Sequence, residues 1–327
     1  MLSRLLTCAL ALALLALGAD VGFHAEAARP SLCDEVAGRK ANPSAFAASL
    51  RRGEVGCLRE GTYRSREPNI RLATPNVTLT SYPGEHATLL GRLRIEATAD
   101  GAAVKGLTLD GRTTENRASP LIYADRFVLR DNVITNAHTA ICVLVSQYPG
   151  AEMPEGVRIE GNRIHDCGVL PATNHEHGIY VSEARGTIIR DNWIYDNADR
   201  GVQLYPDADG SLVTGNVIDG NGQGVIFGGD DDDSSDDNLV ERNIITNSTI
   251  RDNIASHWQG PTGSGNVARE NCVWGGSGDE GGGVDRSDGF VAVRNRVARP
   301  RFVNPDRGRF ELRRRSPCRD LLRGRHP

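Results

Sequence analysis

The chain has 327 residues, with 38 Lys and Arg against 42 Asp and Glu and a formal net charge of −4. That near-balance hides an uneven spread, an acidic body offset by a basic end. Length alone would allow more than one domain, but a single long apolar run, at the N-terminus, leaves no candidate membrane span in the rest.

The opening MLSRLLTCALALALLALGAD sets Arg4 ahead of that apolar run, and Ala25-Glu26-Ala27 is a small-residue cleavage site. This pattern predicts a secretory signal peptide over residues 1–27, with Cys8 discarded and no lipobox for a lipid anchor. Export makes the remaining cysteines disulfide candidates. Their positions suggest Cys33 with Cys57, Cys142 with Cys167 and Cys272 with Cys318, although sequence does not fix the connectivity. Residues 28–75 are expected to form an N-terminal cap and lead-in. Within it, Asn42 to Leu50 predicts a short amphipathic helix capped by Ser44, placed over the open end of a stack of coils.

Residues 76–298 carry a repeat. Asn recurs at 132, 162, 192, 216, 243, 271 and 295, a period that signals a repeat architecture. Each unit reads as three short alternating strands, in one copy around Thr187 to Arg190, Trp193 to Tyr195 and Gly178 to Ser182, with no room for a helix. One unit cannot bury its apolar side alone, so neighbouring coils must stack on a common core. The fold class is therefore all-β, a right-handed single-stranded parallel β-helix. The Asn is expected at a bend needing positive φ and, stacked coil on coil, in an amide ladder. Leu107 takes the Asn slot in an early coil. The alternation places Ile179/Val181, Val202/Leu204, Val225/Phe227 and Ile141/Val143 inward, and Cys142, Tyr180, Gln203 and Ile226 outward.

The turn from Asp230 to Asp237 offers hard oxygen ligands of the kind Ca²⁺ takes, against the alternative of a solvated loop. Residues 299–327 form a C-terminal cap and basic tail. It lacks interleaved aromatic residues, so it reads as a solvated end and not as a nucleic-acid site. A monomer is expected.

The Asn-x-Ile…Gly-Ile-x-Val units, Gly61-Thr62-Tyr63 and the closing Phe302-Val303-Asn304-Pro305…Ser316-Pro317-Cys318 resemble bacterial secreted right-handed β-helix proteins of the pectate lyase-like superfamily. The resemblance implies a polysaccharide-binding groove along the outside of one sheet, here the sheet of Tyr180, Gln203 and Ile226, bordered by an insertion at residues 167–177. His177-Gly178 is similar to the His-Gly strand start of polygalacturonases and alginate epimerases. The chain has neither the Asp cluster of the former nor the Asp-Pro-His-Asp/Glu run of the latter.

β-Elimination of a uronate needs a group to neutralise the carboxylate, a base for the ring proton and an acid for the leaving oxygen. The candidate catalytic residues are His177, Tyr180 and Arg200. Arg200 with Gln203 would neutralise, His177 or Tyr180 would act as base, and Tyr180 or Tyr205 as acid. His175, Glu176, Gln203, Tyr205 and Asp207 are the candidate substrate-binding residues. The expected function is that of a secreted, polysaccharide lyase-like protein acting on an acidic extracellular polysaccharide. The alternative is a non-catalytic glycan-binding or envelope surface protein. His175-x-His177 with Asp166 or Glu176 would also suit a metal, but the pair is too common to assign ligands from it.

Overall fold

A computed structural model describes residues 32–112, 117–277, 283–285, 288–322 and 327. The predicted signal peptide, and Arg323 and Arg325 of the tail, lie outside the described residues.

Through most of the chain each strand pairs in parallel with the one three earlier, building sheets of 11, 10 and 8 strands, here sheets A, B and C. In one coil these are Ile188–Arg190 in sheet A, Trp193–Tyr195 in sheet B and Arg200–Asp209 in sheet C. The result is a right-handed parallel β-solenoid. Period-2 alternation sends Ile189, Ile194, Val202 and Leu204 inward, all fully buried in one continuous core. Each such side chain contributes about 1.5–3 kcal/mol by leaving water. Since a coil contacts only its neighbours, that core exists only through stacking. Among the described residues no helix is long and apolar enough to cross a membrane.

The corner between sheets A and B shows how the repeat works. Positive φ belongs to the residue before each Asn, namely Asp131, Gly161, Asp191, Gly215, Arg242, Glu270 and Arg294, at 53–67°. The bend was thus expected one residue too late. The Asn that follows is free to use its amide along the stack. Each Nδ2 donates to the Oδ1 of the next coil's Asn at 2.9–3.0 Å, from Asn132 through to Asn295. The same Oδ1 accepts the neighbouring backbone N–H, and Leu107 N–H closes the ladder on Asn132 at 3.1 Å. Shorter ladders run at the other corners, Asn197 to Asn221 and Asn238 to Asn266.

The helix spans Pro43–Ser49, and its cap is Asn42, not Ser44. The Asn42 side chain accepts from Ser44 N–H, and Pro43 occupies the first turn where no N–H is needed. Ser44 Oγ turns instead to Ser65 and to the Asn69 carbonyl. Ala47 and Leu50 join the core against the first strand of sheet C. Strands Val55–Leu58, Gly61–Arg64 and Ile70–Leu72 already belong to sheets A, B and C, so coils begin inside residues 28–75.

One register differs from expectation. Val143, Leu144 and Val145 pair with Ile179, Tyr180 and Val181, so Leu144 faces out, and Cys142 is fully buried opposite Gly178. Ala137 and His138, both at positive φ, lengthen the preceding turn and shift the alignment by two residues. The disulfides are Cys33–Cys57, Cys142–Cys167 and Cys272–Cys318, with Cα separations of 5.7, 5.5 and 5.9 Å. After the last coil, an antiparallel hairpin of Phe302–Asn304 and Arg309–Leu312 folds back over sheet B. Phe302 and Phe310 pack there on Trp193, Tyr195 and Cys272 as a second apolar cluster.

Candidate functional site

Sheet C changes character midway. Its early strands are two or three residues long, whereas Ile179–Arg185, Arg200–Asp209 and Gln223–Gly229 run for seven, ten and seven. Stacked outward along it are Leu144, Tyr180, Gln203, Ile226 and Ala255, with Tyr205, Gly228 and His257 in the next outward column. Tyr180 and Gln203 therefore face away from the core, as the alternation requires.

The insertion at residues 167–177 is tied down at both ends. Cys167 is bonded to Cys142 of the preceding coil. At the other end the Asp199 carboxylate accepts the backbone N–H groups of Asn174, His175 and Glu176 at 2.9, 3.0 and 2.9 Å. Gly168, at φ 82°, leaves no room for a side chain, since a Cβ there would lie 2.7 Å from the Glu176 carbonyl oxygen. Glu176 is itself buried, accepting from Thr173 Oγ1 and Val169 N–H. It fastens the insertion and does not line the cleft.

Held this way, Asn174 lies against Arg200. The guanidinium donates to the Asn174 carbonyl at 2.9 Å, to Asn174 Oδ1 at 2.7 Å and to Gln203 Oε1 at 2.9 Å. Arg200 is 5 % exposed, its Nε has no partner, and no carboxylate lies within ion-pair distance among the described residues. Burial lowers its pKa to about 10, yet it remains a cation at neutral pH. A buried cation without a paired anion is unusual, because charge is normally buried only with its partner.

His177 is 1 % exposed and sits edge-on to Tyr180, ring centroids 5.4 Å apart. Burial, then the charges of Arg200 and His175, hold its pKa well below the usual histidine range, although the hydrogen bond with Gln203 works the other way. The imidazole is therefore neutral. Burial pushes the Tyr180 hydroxyl up to about 12, and burial with Asp230 and Asp231 raises that of Tyr205, so both phenols keep their protons.

These residues enclose a cleft of about 130 Å³ lined by Asn174, His175, His177, Tyr180, Arg200, Gln203, Tyr205, Ile226, Gly228, His257 and Gln259. Sequence reasoning missed Asn174, His257 and Gln259. The alternation of Ile254–Trp258 held the signal for His257, which stacks on Gly228. Asp207 pairs in register with Glu183 further along the strand and does not line the cleft. Burial, with Asp209 and Asp233 nearby, raises its pKa.

The metal readings do not fit the geometry. Among the described residues no three His, Cys, Asp or Glu side chains converge as a metal-binding group. His175 is exposed while His177 is buried. In the acidic turn, Asp230 accepts the backbone N–H groups of Asp232 and Asp233, and Asp236 accepts from Ser234 and Ser264, so these carboxylates hold the loop's own backbone and hydroxyls.

Residues 120–242 match the family model described as a right-handed β-helix region. Among solved structures, the chain is similar to the A-module of mannuronan C-5 epimerase AlgE6 from Azotobacter vinelandii. That match has a TM-score of 0.53 and 15% identity, covering 81% of this chain and 88% of that one. It is also similar to pectate lyase Pel9A, with a TM-score of 0.54 and 11% identity, covering 88% and 91%. By sequence, no curated protein matches the chain. At these identities the likeness is one of architecture, and with the three-sheet stack it places the chain among the right-handed parallel β-helix proteins.

Proposed function

We propose that the chain is a secreted, carbohydrate-active β-helix protein that cleaves an acidic extracellular polysaccharide by elimination at the sheet C cleft. The observation that carries this reading is Arg200, a buried guanidinium with no carboxylate partner, beside a neutral imidazole and two protonated phenols. A uronate carboxylate is the anion that such a fork fits. Its arrival would cancel the charge that helps hold His177 down, so binding strengthens the base. His177 then takes the proton from the ring carbon next to the carboxylate. The electron pair left behind forms the ring double bond as the glycosidic C–O bond breaks, and the leaving oxygen takes the proton of Tyr180 or Tyr205. The solved structures similar to this one include a pectate lyase and a mannuronan epimerase, which favours the same substrate class. Three disulfides favour export.

The test is a panel of pectate, alginate, glycosaminoglycan and neutral glucan, followed by ultraviolet absorbance of unsaturated ends and by reducing-end assay. Reducing ends with matching absorbance support elimination. Reducing ends without absorbance mean hydrolysis, and binding without products means a glycan-binding surface.

A further inference from the structure

Several arginines on the coil body are matched to carboxylates. Glu160 holds Arg130, Arg158 and Arg190, Glu241 holds Arg269, and Glu270 holds Arg294. On the C-terminal hairpin Arg309 lies 3.6 Å from Glu311, but the arginines around its base are not matched in this way. Arg299, Arg301, Arg314 and Arg315 are exposed, and among the described residues none has an ion pair or a side-chain hydrogen bond. Arg313 beside them spends its guanidinium on the Phe302 and Val303 carbonyls, which orients the strand and leaves its charge uncompensated.

Arg299, Arg301 and Arg313 border a groove of about 770 Å³ between the hairpin and sheet B, and Arg301 and Arg313 continue, with Arg314 and Arg315, into a second hollow of about 520 Å³. In the penultimate strand of sheet B, alternation in Cys272–Trp274 puts Val273 in the core and turns Cys272 and Trp274 outward. Cys272 is bonded to Cys318, which fixes the chain just past the hairpin beside this strand. Trp274 is left 41 % exposed on the groove wall, with Asn247, Asn304 and Asp306 nearby. An exposed indole, amide and carboxylate groups for hydroxyls, and unpaired guanidiniums for acid groups together describe a surface for a charged sugar chain.

We propose that this groove, together with the hollow it runs into, is a second polysaccharide-binding site, on a different sheet from the cleft, which takes a carboxylated glycan. It takes the ligand class from the proposed function and rests on that reading only there. The arginines would supply the attraction and Trp274 the stacking face against a sugar ring.

The test is affinity electrophoresis of the full chain in gels containing polygalacturonate, alginate or neutral dextran, with double-stranded DNA as a competitor. Variants are Trp274→Ala and the triple change Arg301→Asn, Arg314→Ser and Arg315→Ser; Asn tolerates the positive φ of Arg301. Each is measured alone and with Arg200→Ala, which removes the cleft's contribution, and circular dichroism confirms folding. The triple variant should lose about tenfold or more in affinity for the acidic glycans, since each charge-assisted contact matters individually. Trp274→Ala should lose roughly fivefold with an unchanged salt dependence. Retention of the triple variant equal to wild type overturns the inference. So does loss in the triple variant with Trp274→Ala unaffected and DNA competing as well as glycan, which means charge alone. If Arg200→Ala leaves turnover unchanged while both groove variants lose retention, the cleft reading fails and this one stands.

Discussion

Asn192 and Arg200 are polar residues buried in the same coil, and they are buried on different terms. Asn192 belongs to a ladder that repeats at every turn, where each amide group meets an identical neighbour and the corner carbonyl of the preceding strand. Arg200 belongs to no ladder. Its register partner in the next coil is Gln223, and a once-only insertion supplies two of its three acceptors. Periodic polar burial is how a solenoid satisfies its corners. Polar burial that breaks the period leaves a charge without an ion-pair contact, and that is where chemistry can be placed.

Four measurements can break or sharpen that contrast. The largest effect is expected from Asn192→Ala. It strips the acceptor from Asn162 N–H and Nδ2 and the donor from the Ile159 carbonyl, all buried, and should cost about 3 kcal/mol or more in urea unfolding. Asn295→Ala, at the half-buried end of the ladder, should cost clearly less. Equal costs would mean that the ladder is not cooperative. Next comes the double change Cys142→Ser and Cys167→Ser, expected to lower stability by roughly 3 kcal/mol by releasing a constraint on the unfolded chain. Because it also frees the insertion, turnover should fall with it; unchanged turnover would show that Asp199 alone suffices to place Asn174.

The third concerns the cleft itself. His177→Ala and Tyr180→Phe should each lower turnover by about 100-fold or more, with binding changed by less than about tenfold. Arg200→Ala should weaken both, since a carboxylate clamp acts already in the ground state. If all three keep full activity on a substrate the wild type cleaves, the cleft is not the active site.

The smallest effect is a pH slope. Folding holds His177 below the ordinary histidine pKa of ~6.5. Between those two values the unfolded chain binds the extra proton, so stability rises with pH there, is complete above ~6.5 and declines as pH falls through the window. Unfolding at pH 7 and pH 5 should show a larger loss for wild type than for His177→Gln. Identical slopes would mean that His177 is solvated.

What could be read in the sequence follows the same division. The coil, the Asn column, the Leu107 substitute, the faces of Ile179 through Leu204 and the three cysteine pairs all leave periodic or compartmental marks. Apart from the bend, placed one residue late at every Asn of the column, the departures fall where the period is interrupted or absent. The turn before Val143 absorbed extra residues at positive φ and moved the register. Glu176 carries the same charge as a binding residue but is turned inward by Thr173 and Val169, and Asp207 lies past the reach of the cleft. Asn174 and Gln259 come from segments with no alternation to orient them. Position in a non-repeating segment depends on which backbone groups find acceptors, as the Asp199 carboxylate shows for three residues of the insertion.

The three disulfides fall near the start, the middle and the end of the stack. A solenoid is weakest at its extremities, because a terminal coil has a neighbour on one side only and can peel away without disturbing the rest. Cys33–Cys57 joins the chain just before the first strand of sheet A to the next strand, and Cys272–Cys318 clamps the chain just past the hairpin to the penultimate strand of sheet B. Fraying from either extremity is thereby blocked at its first step, and the middle cross-link stops any breach from spreading. A protease that cuts unravelled coils would therefore have to wait for a larger opening of the stack than the loss of one terminal coil.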